Sequence, residues 1–253
     1  MAITFNFSGQ TALVTGATSG IGEAVALGLA KAGANVAVVG RDETRLARVR
    51  DAIAAEGVGA LGLRADVRRR EDVRSSTKAT LDRFGQIDIL VNSAGIVRFV
   101  PAIETSDDDW DDTIATNLTG TFLYCREVGK AMAHRGYGRI VNIASVDAFN
   151  AVPTEVAYCA SKAGVVAITK VFAVELVKSG VHVNAVAPCD FDTPMVAEYM
   201  SVPENLAATL AGVPVGRIGK LSELVPAVLY LASPEASMVV GHTLLVDGGR
   251  TII

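Results

Sequence analysis

Short, nearly uninterrupted apolar runs constrain the fold of this 253-residue chain more than any other feature. They do not alternate with polar residues, so both faces of each predicted strand are expected to be buried. The runs are TALVTG (11–16), NVAVVG (35–40), ALGLRAD (60–66), IDILVNSAG (87–95), GRIVNIAS (138–145), VHVNAVAP (181–188) and HTLLVDGG (242–249). Apolar residues at helical spacing fill the intervals, at 20–33, 43–57, 71–84, 107–134, 154–179 and 222–232.

This order of elements predicts an α/β fold. Strands that alternate with helices through right-handed crossovers form a doubly wound, Rossmann-type parallel sheet, here of about seven strands with helices on both faces. No linker, repeat or low-complexity segment divides the sequence, so we expect a single domain over 1–253. Its ligand crevice is expected at the carboxyl ends of the strands.

Composition excludes several classes of function. The net charge is −4, and no basic block is present, so we expect no nucleic-acid partner. The first ten residues lack the pattern of a signal peptide, and no apolar stretch has the length of a membrane helix. Three scattered cysteines, Cys125, Cys159 and Cys189, have no metal-ligand spacing. The sequence therefore predicts a cytoplasmic protein with no metal site and no membrane partner.

A glycine-rich stretch, TGATSGIG (15–22), joins the first predicted strand to the first helix. Gly16 permits a tight turn, Gly20 removes a Cβ where a pyrophosphate would approach, and Gly22 lets the helix pack close to the sheet. The helix N-terminus offers free N–H groups and partial positive charge to phosphates. The stretch favours dinucleotide binding, although a purely structural turn is the alternative.

A second stretch, YCASK, places Tyr158 four residues before Lys162 in a predicted helix. Residues at this spacing lie on one helical face. A phenol with an ordinary pKa near 10 is a poor acid or base at neutral pH, but a neighbouring ammonium stabilises the phenolate. Tyr158 is therefore predicted to serve as general acid or base. The competing interpretation is an ordinary cation–aromatic pair on the surface.

Ser145 is predicted to end the fifth strand, where its side chain would line the crevice. Its hydroxyl can donate to a carbonyl oxygen that becomes an alkoxide. A capping or turn serine is the alternative.

Taken in order, these motifs resemble the short-chain dehydrogenase/reductase family. TGATSGIG matches its TGxxxGxG signature, and YCASK matches its YxxxK. Further pieces follow the family's order: Asp66 after the third strand, NSAG (92–95), Asn117, Ser145, and a segment at 188–195 that carries Thr193. The resemblance implies an oxidoreductase that transfers a hydride between nicotinamide and a carbonyl or secondary alcohol.

The resemblance also implies the site residues. The catalytic set is Asn117, Ser145, Tyr158 and Lys162, in which Asn117 holds a water that links the lysine to solvent and Lys162 also bonds the nicotinamide ribose. The cofactor-binding set is Gly16, Thr18, Ser19, Gly20, Ile21, Gly22, Arg41, Asp66, Val67, Asn92, Ala94, Gly95, Tyr158, Lys162, Pro188 and Thr193. Within it, Asp66 and Val67 would contact the adenine, and Thr193 would reach the nicotinamide carboxamide.

The end of the second strand indicates which cofactor is used. NAD-using relatives tend to place Asp at position 40, which here is Gly40, and Arg41 follows as in NADP-using relatives. A guanidinium can bind a 2′-phosphate through two hydrogen bonds. NADP is therefore preferred, with NAD possible. Asp42 leaves the choice open, because it can neutralise Arg41 or reach the ribose.

Two positions depart from the family's usual pattern. Ser93 replaces the second Asn of the usual NNAG, with little expected consequence. Cys189 replaces the usual Gly after Pro188, where its Cβ and thiol would narrow the nicotinamide pocket. We expect a buried, inert thiol.

The substrate class stays open at this point. Asp147 either binds a substrate hydroxyl, which favours a polyol or sugar, or caps a loop, and Glu155 is equally ambiguous. Phe99, Phe191 and Met195 would suit an apolar keto group such as a β-ketoacyl thioester. By resemblance, the segment around 190–217 forms a mobile substrate lid, and 107–134 and 154–179 mediate a homotetramer.

Two other functions compete with this interpretation. One is a nucleotide-sensing regulator without catalysis. The other is a sugar-nucleotide epimerase or dehydratase, although such relatives are usually longer than this chain.

Overall fold

The computed structural model describes residues 4–253 and confirms the predicted sheet. Its strands are β1 (Thr11–Thr15), β2 (Asn35–Gly40), β3 (Ala60–Arg64), β4 (Ile89–Asn92), β5 (Gly138–Ile143), β6 (Val181–Pro188) and β7 (Thr243–Val246). They form one seven-stranded sheet in the order β3-β2-β1-β4-β5-β6-β7, and every neighbouring pair is parallel.

Helices cover both faces of the sheet, as expected for strands that are apolar on both sides. They are α1 (Gly20–Lys31), α2 (Glu43–Ala54), α3 (Arg70–Phe84), α4 (Asp107–Ile114), α5 (Gly120–Arg135), α6 (Val156–Leu176), α7 (Ala197–Met200), α8 (Pro203–Ala211) and α9 (Leu221–Ala232). Buried residues of α1, α2 and α9 form one core, and those of α3 and α5 form a second; Val165 and Val166 of α6 belong to a third, smaller cluster. Within residues 4–253, none of these helices combines the length and apolarity needed to span a membrane.

The predicted segment 107–134 is helical but not regular. A π-helical turn, Ala115–Thr119, separates α4 from α5 and contains Asn117. Asn forms helices poorly, and π turns are frequent at functional sites. The turn rotates Asn117 inward, where its side chain is only 1% exposed.

The ends of several elements differ from the predictions. The strand predictions included turn residues, and β5 in particular stops at Ile143, where its pairing with β6 ends. Ser145 therefore lies two residues beyond the strand, not at its end as predicted. The segment around 190–217 contains two short helices, α7 and α8, and the second begins with Pro203 at a position where proline costs little.

The crevice opens where the order of strands reverses, between β1 and β4. The loops that follow these two strands touch. Gly16 has φ +63°, and a Cβ on it would lie 2.6 Å from the Cα of Ala94. The Thr15 hydroxyl accepts hydrogen bonds from the backbone N–H groups of Ser93 (3.1 Å) and Ala94 (3.3 Å). These contacts fix the floor of the site.

Candidate active site

A cavity of ≈ 650 Å³ lies at the carboxyl ends of the strands. It brings together residues that are distant in sequence, which is what a doubly wound sheet does at its switch point. Most of the predicted site residues line it: Gly16, Thr18, Ser19, Gly20, Ile21, Gly22, Arg41, Asp66, Val67, Ala94, Gly95, Ser145, Tyr158, Lys162, Pro188 and Thr193.

The glycine-rich turn forms one wall of the cavity. A Cβ on Gly22 would lie 2.4 Å from the carbonyl oxygen of Gly16, so any side chain there would push α1 away from the turn. Ser19 precedes α1, and its side chain caps none of the N–H groups of the described helix. The first turn of α1 therefore presents free donors and the positive end of its dipole to the cavity. This arrangement fits a pyrophosphate.

The end of β2 carries exposed positive charge. A Cβ on Gly40 would lie 2.4 Å from the methyl group of Thr18, so an acidic side chain at this position would require Thr18 to move. Asp42 caps α2 by accepting from the Arg45 backbone N–H at 3.0 Å, and its carboxylate lies 3.5 Å from the Arg45 guanidinium. Asp42 is thus engaged by Arg45, while Arg41 forms no ion pair with any residue in 4–253.

Ala65, Asp66 and Val67 line the cavity next to the end of β2. The Arg68 guanidinium binds the Asp66 carboxylate at 2.6 Å and lowers its pKa below the ordinary value. Asp66 is therefore an ionised acceptor that is already held in place.

Two predicted residues do not reach the cavity surface. Asn92 is 3% exposed, and its amide donates to the Asn142 side chain at 2.8 Å. The side chain of Asn92 is thus directed to Asn142 on β5 and away from the cavity, and its role in cofactor binding stays a prediction. Asn117 holds the loop after β4: its carboxamide accepts from the Ile96 N–H (2.8 Å) and donates to the Ile96 carbonyl (2.9 Å).

The other contacts of Asn117 place it beside the lysine. Its amide also donates to the Ser161 hydroxyl at 3.0 Å, and its backbone carbonyl accepts from Thr121 at 2.7 Å. A Cβ on Gly95 would lie 3.5 Å from Asn117 Oδ1 and 3.7 Å from Lys162 Nζ. Among the described residues, the Asn117 side chain acts as a clamp that fixes the wall next to Lys162.

Tyr158 and Lys162 face the same way from α6, as their spacing predicts. The lysine Nζ lies 5.5 Å from the centre of the tyrosine ring and donates to the Ile143 carbonyl at 2.8 Å. Burial lowers the pKa of Lys162 to about 8. Burial also raises the pKa of the Tyr158 phenol, and the Asp147 charge raises it further. In the protein alone, burial and the Asp147 charge therefore favour the protonated phenol, whereas the sequence predicts that Lys162 stabilises the phenolate.

Ser145 adjoins Tyr158 and is tied to Asp147. It caps a short 3-10 turn, Val146–Ala148, by accepting from the Asp147 N–H at 3.1 Å. Its hydroxyl donates to the Asp147 carboxylate at 2.7 Å. The Ser145 hydroxyl lowers the pKa of Tyr158 slightly against the larger effect of burial. Both alternatives for Asp147 thus stay physically possible, since its N–H takes part in the cap while its carboxylate faces the cavity.

Carboxyl groups crowd the substrate end of the cavity. Burial raises the pKa of Glu155 to about 8, and the charges of Asp147 and Asp190 add to this effect. Asp190 is paired with Arg250 at 2.6 Å. Thr154, which precedes Glu155, is the only non-glycine residue in 4–253 with a positive φ, 69°. The strained turn and the buried acid sit together at the start of α6.

Among the cavity residues that sequence reasoning missed are Arg45, Asp190, Tyr199 and Arg250. Arg45 lies one helical turn after Arg41, a spacing that the sequence displays. Asp190 and Arg250 meet through tertiary structure alone, as does the stack of Tyr199 on Phe99, whose ring centres are 4.6 Å apart.

Cys189 is half-buried beside Pro188 and has ordinary backbone angles, so its position does not require glycine. Burial raises the pKa of its thiol to about 11. The thiol is therefore protonated at neutral pH, as expected of an inert cysteine.

The chain is similar to known enzymes over nearly its whole length. A family model described as enoyl-(acyl carrier protein) reductase matches residues 16–251. The chain is 42% identical to a D-threitol dehydrogenase of Mycolicibacterium smegmatis, over 98% of this chain and 95% of the relative. It is 40% identical to a 3-oxoacyl-(acyl-carrier-protein) reductase of Vibrio cholerae serotype O1, over 98% and 100%.

A solved structure is also similar to this chain over nearly its whole length. The crystal structure of a gluconate 5-dehydrogenase from Burkholderia cenocepacia J2315, in complex with NADP and tartrate, superposes with a TM-score of 0.95 at 36% identity and covers 98% of both chains.

Glu155 gives the stability a predictable pH dependence. Its carboxyl ionises near 4.5 when unfolded but only near 8 when folded, so its cost to stability grows between these values and is constant above them. Glu155→Gln removes that cost. We expect the melting temperature of this variant to exceed that of the unsubstituted protein by roughly 5–15 °C at pH 9 and by no more than about 3 °C at pH 5.

The exposed Glu204 on α8 supplies the control: Glu204→Gln is expected to shift the melting temperature equally at both pH values. A Glu155→Gln effect of the same size at pH 5 and pH 9 would contradict a buried, neutral Glu155.

Proposed function

This chain belongs to the short-chain dehydrogenase/reductase family, and we propose that within it the protein is an NADP-dependent dehydrogenase of small, neutral polyhydroxy compounds. The protein is an oxidoreductase that transfers a hydride between nicotinamide and a carbonyl or secondary alcohol. The observation that carries the proposed substrate is the Asp147 carboxylate at the substrate end of the cavity, in hydrogen-bond contact with Ser145.

The charges near Asp147 support a neutral substrate rich in hydroxyl groups. Asp147, Glu155 and Asp190 offer acceptors for hydroxyl donors. Arg250 is paired with Asp190, so its guanidinium is not free to bind a substrate carboxylate. The similarity to a D-threitol dehydrogenase agrees with this proposal.

Reduction of a β-ketoacyl thioester is the second candidate. The stacked rings of Phe99 and Tyr199, together with the half-exposed Met195, provide an apolar surface along the cavity. The similarity to a 3-oxoacyl-(acyl-carrier-protein) reductase also favours it. A panel of polyols and β-ketoacyl thioesters, followed by NADPH absorbance, separates the two, because a thioester preference would contradict the polyol proposal.

The proposed catalytic set is Ser145, Tyr158 and Lys162, positioned by Asn117. When bound, NADP supplies the hydride acceptor or donor and a charge beside the phenol. Tyr158 holds its proton firmly before cofactor binds, so the site is ready to protonate the oxygen of a carbonyl substrate. Ser145 hydrogen-bonds that oxygen, and Lys162 adds positive charge to the same pocket.

The residues fit NADP better than NAD. Arg41 and Arg45 present guanidinium groups at the end of β2, where a 2′-phosphate would lie. Asp42, which competed with this interpretation, is held by Arg45. The glycine-rich turn and the free amides of α1 suit the pyrophosphate. The solved relative with bound NADP agrees with this preference.

We further propose a homotetramer in the cytoplasm, with residues 190–217 as a substrate lid. Support for assembly comes from apolar side chains that the long helices expose, namely Phe122, Val171 and Val174, and from Ile252 and Ile253 at the carboxyl end. Three free cysteines suit a reducing compartment.

Removal of the phenol hydroxyl tests the chemistry. We expect Tyr158→Phe to lower kcat by at least about a hundredfold, because the proton donor is lost, while NADP affinity is kept. Steady-state kinetics and cofactor titration measure both. Tyr137→Phe is the matched control, since Tyr137 lies at the opposite end of the sheet. Near-normal kcat in Tyr158→Phe would sink the assignment.

Cofactor choice is tested at Arg41. We expect Arg41→Ala to weaken NADP binding by at least about tenfold, because a phosphate loses a charged hydrogen-bond partner, and to leave NAD binding unchanged. Titration of both cofactors gives the comparison, with Arg50→Ala on α2 as control. If NAD binds as tightly as NADP and neither responds to Arg41→Ala, the preference is wrong.

Light scattering at micromolar concentration tests the assembly. We expect a particle of four times the chain mass, because the exposed apolar faces of α5 and α6 would be buried between subunits. A monomer mass under these conditions rules the tetramer out.

A further inference from the structure

The hydroxyl of Ser145 has a single proton, and that proton is already donated. It goes to Asp147 Oδ2 at 2.7 Å, while the oxygen accepts from the Asp147 N–H at 3.1 Å. Ser145 is 4% exposed, so no bulk water competes for this bond. A serine hydroxyl cannot donate to two acceptors at once. To hydrogen-bond a substrate oxygen, Ser145 must release Asp147.

Release leaves the Asp147 carboxylate without a donor. Its second oxygen, Oδ1, accepts no hydrogen bond from any side chain or backbone group in 4–253, so nothing in the described chain replaces Ser145. The carboxylate lines the cavity. Loss of the hydrogen-bond donor to a charged carboxylate in a half-buried site raises the free energy of the complex. A hydrogen-bond donor on the substrate removes that cost.

A hydroxyl next to the reacting carbon has the right position to be this donor. The substrate must contact one acceptor atom, Asp147 Oδ2, and one donor atom, Ser145 Oγ. These two atoms are 2.7 Å apart. Oxygens on adjacent carbons in a staggered conformation also lie roughly 3 Å apart. One oxygen of such a substrate can accept from Ser145 while its neighbour donates to Asp147.

We propose that Asp147 is a specificity-determining residue that selects vicinal diols in oxidation and α-hydroxy ketones in reduction. The inference rests on the proposed function and names the substrate class of the same site. Asp147 acts only as a hydrogen-bond acceptor and exchanges no proton with the substrate. The separate role of capping the turn at 146–148 uses the Asp147 backbone N–H and does not require the carboxylate.

The test compares butane-2,3-diol with butan-2-ol and butane-1,3-diol, using NADP and all stereoisomers of each. For the unsubstituted protein we expect kcat/KM to favour the vicinal diol by roughly a hundredfold, with the 1,3-diol close to the mono-alcohol. Asp147→Ala is expected to lower kcat/KM for the vicinal diol by about thirtyfold or more. The same variant should keep or raise kcat/KM for butan-2-ol, because Ser145 is then free without any loss at a carboxylate.

Matched variants separate recognition from structure. Asp82→Ala removes an exposed carboxylate from α3, outside the cavity lining, and should leave kcat/KM for both substrates unchanged. Asp147→Asn keeps the shape of the side chain. Its preference for the vicinal diol is expected to fall between those of the unsubstituted protein and Asp147→Ala. Far-ultraviolet circular dichroism and NADP titration check that each variant is folded.

Three results would overturn the inference. A parallel loss with diol and mono-alcohol in Asp147→Ala means that the carboxylate only supports the turn. Turnover of polyols without any preference for adjacent hydroxyls refutes the inference and leaves the proposed function standing. Activity with β-ketoacyl thioesters and none with hydroxy compounds overturns both.

Discussion

The contact between the loops that follow β1 and β4 governs everything else in this structure. Gly16 approaches Ala94 so closely that a Cβ on Gly16 would lie 2.6 Å from the Cα of Ala94. The Thr15 hydroxyl accepts hydrogen bonds from the backbone N–H groups of Ser93 and Ala94. The sheet is buried on both faces, so polar chemistry is confined to its edge. The contact lies where the strand order reverses. The helices on either side diverge at this point and leave a crevice.

Much of the fold was predictable because burial on both faces leaves a clear trace in sequence. Uninterrupted apolar runs gave all seven strands, and glycine-rich or helical intervals gave their connections. The π-helical turn at Asn117 agrees with the poor helix propensity of asparagine. The position of Ser145 was missed by two residues, because an apolar run does not reveal where hydrogen bonding with the neighbouring strand stops. That limit is set by the pairing of Ile143 with Val186, a tertiary contact.

The candidate site was predictable only where its residues carry a local signature. Turn glycines and the Tyr158–Lys162 spacing can be recognised in short stretches. Asp190 and Arg250 cannot, because sixty residues separate them and only the fold pairs them. Arg250 is held in place by Asp247, which accepts from the Gly249 and Thr251 N–H groups and so shapes the carboxyl end into a wall of the cavity. A motif position also does not tell which face of a strand a side chain occupies, and only the fold shows that the Asn92 amide is directed to Asn142 on the neighbouring strand.

The electrostatics of the site follow from burying several acids near one phenol. Burial is the larger cause that raises the pKa of Tyr158 and of Glu155, and the Asp147 charge raises both further, whereas burial lowers the pKa of Lys162 and Asp147 partly offsets this. Burial acts with Asp147 on the two acids and against it on the lysine. Tyr158 would be stabilised as the phenolate by the positive charge of an oxidised nicotinamide, which would oppose the Asp147 charge. Without cofactor, the protein stabilises the protonated form of Tyr158, which is the proton donor. The Asp147 carboxylate remains a hydrogen-bond acceptor for the group that lies beside Ser145.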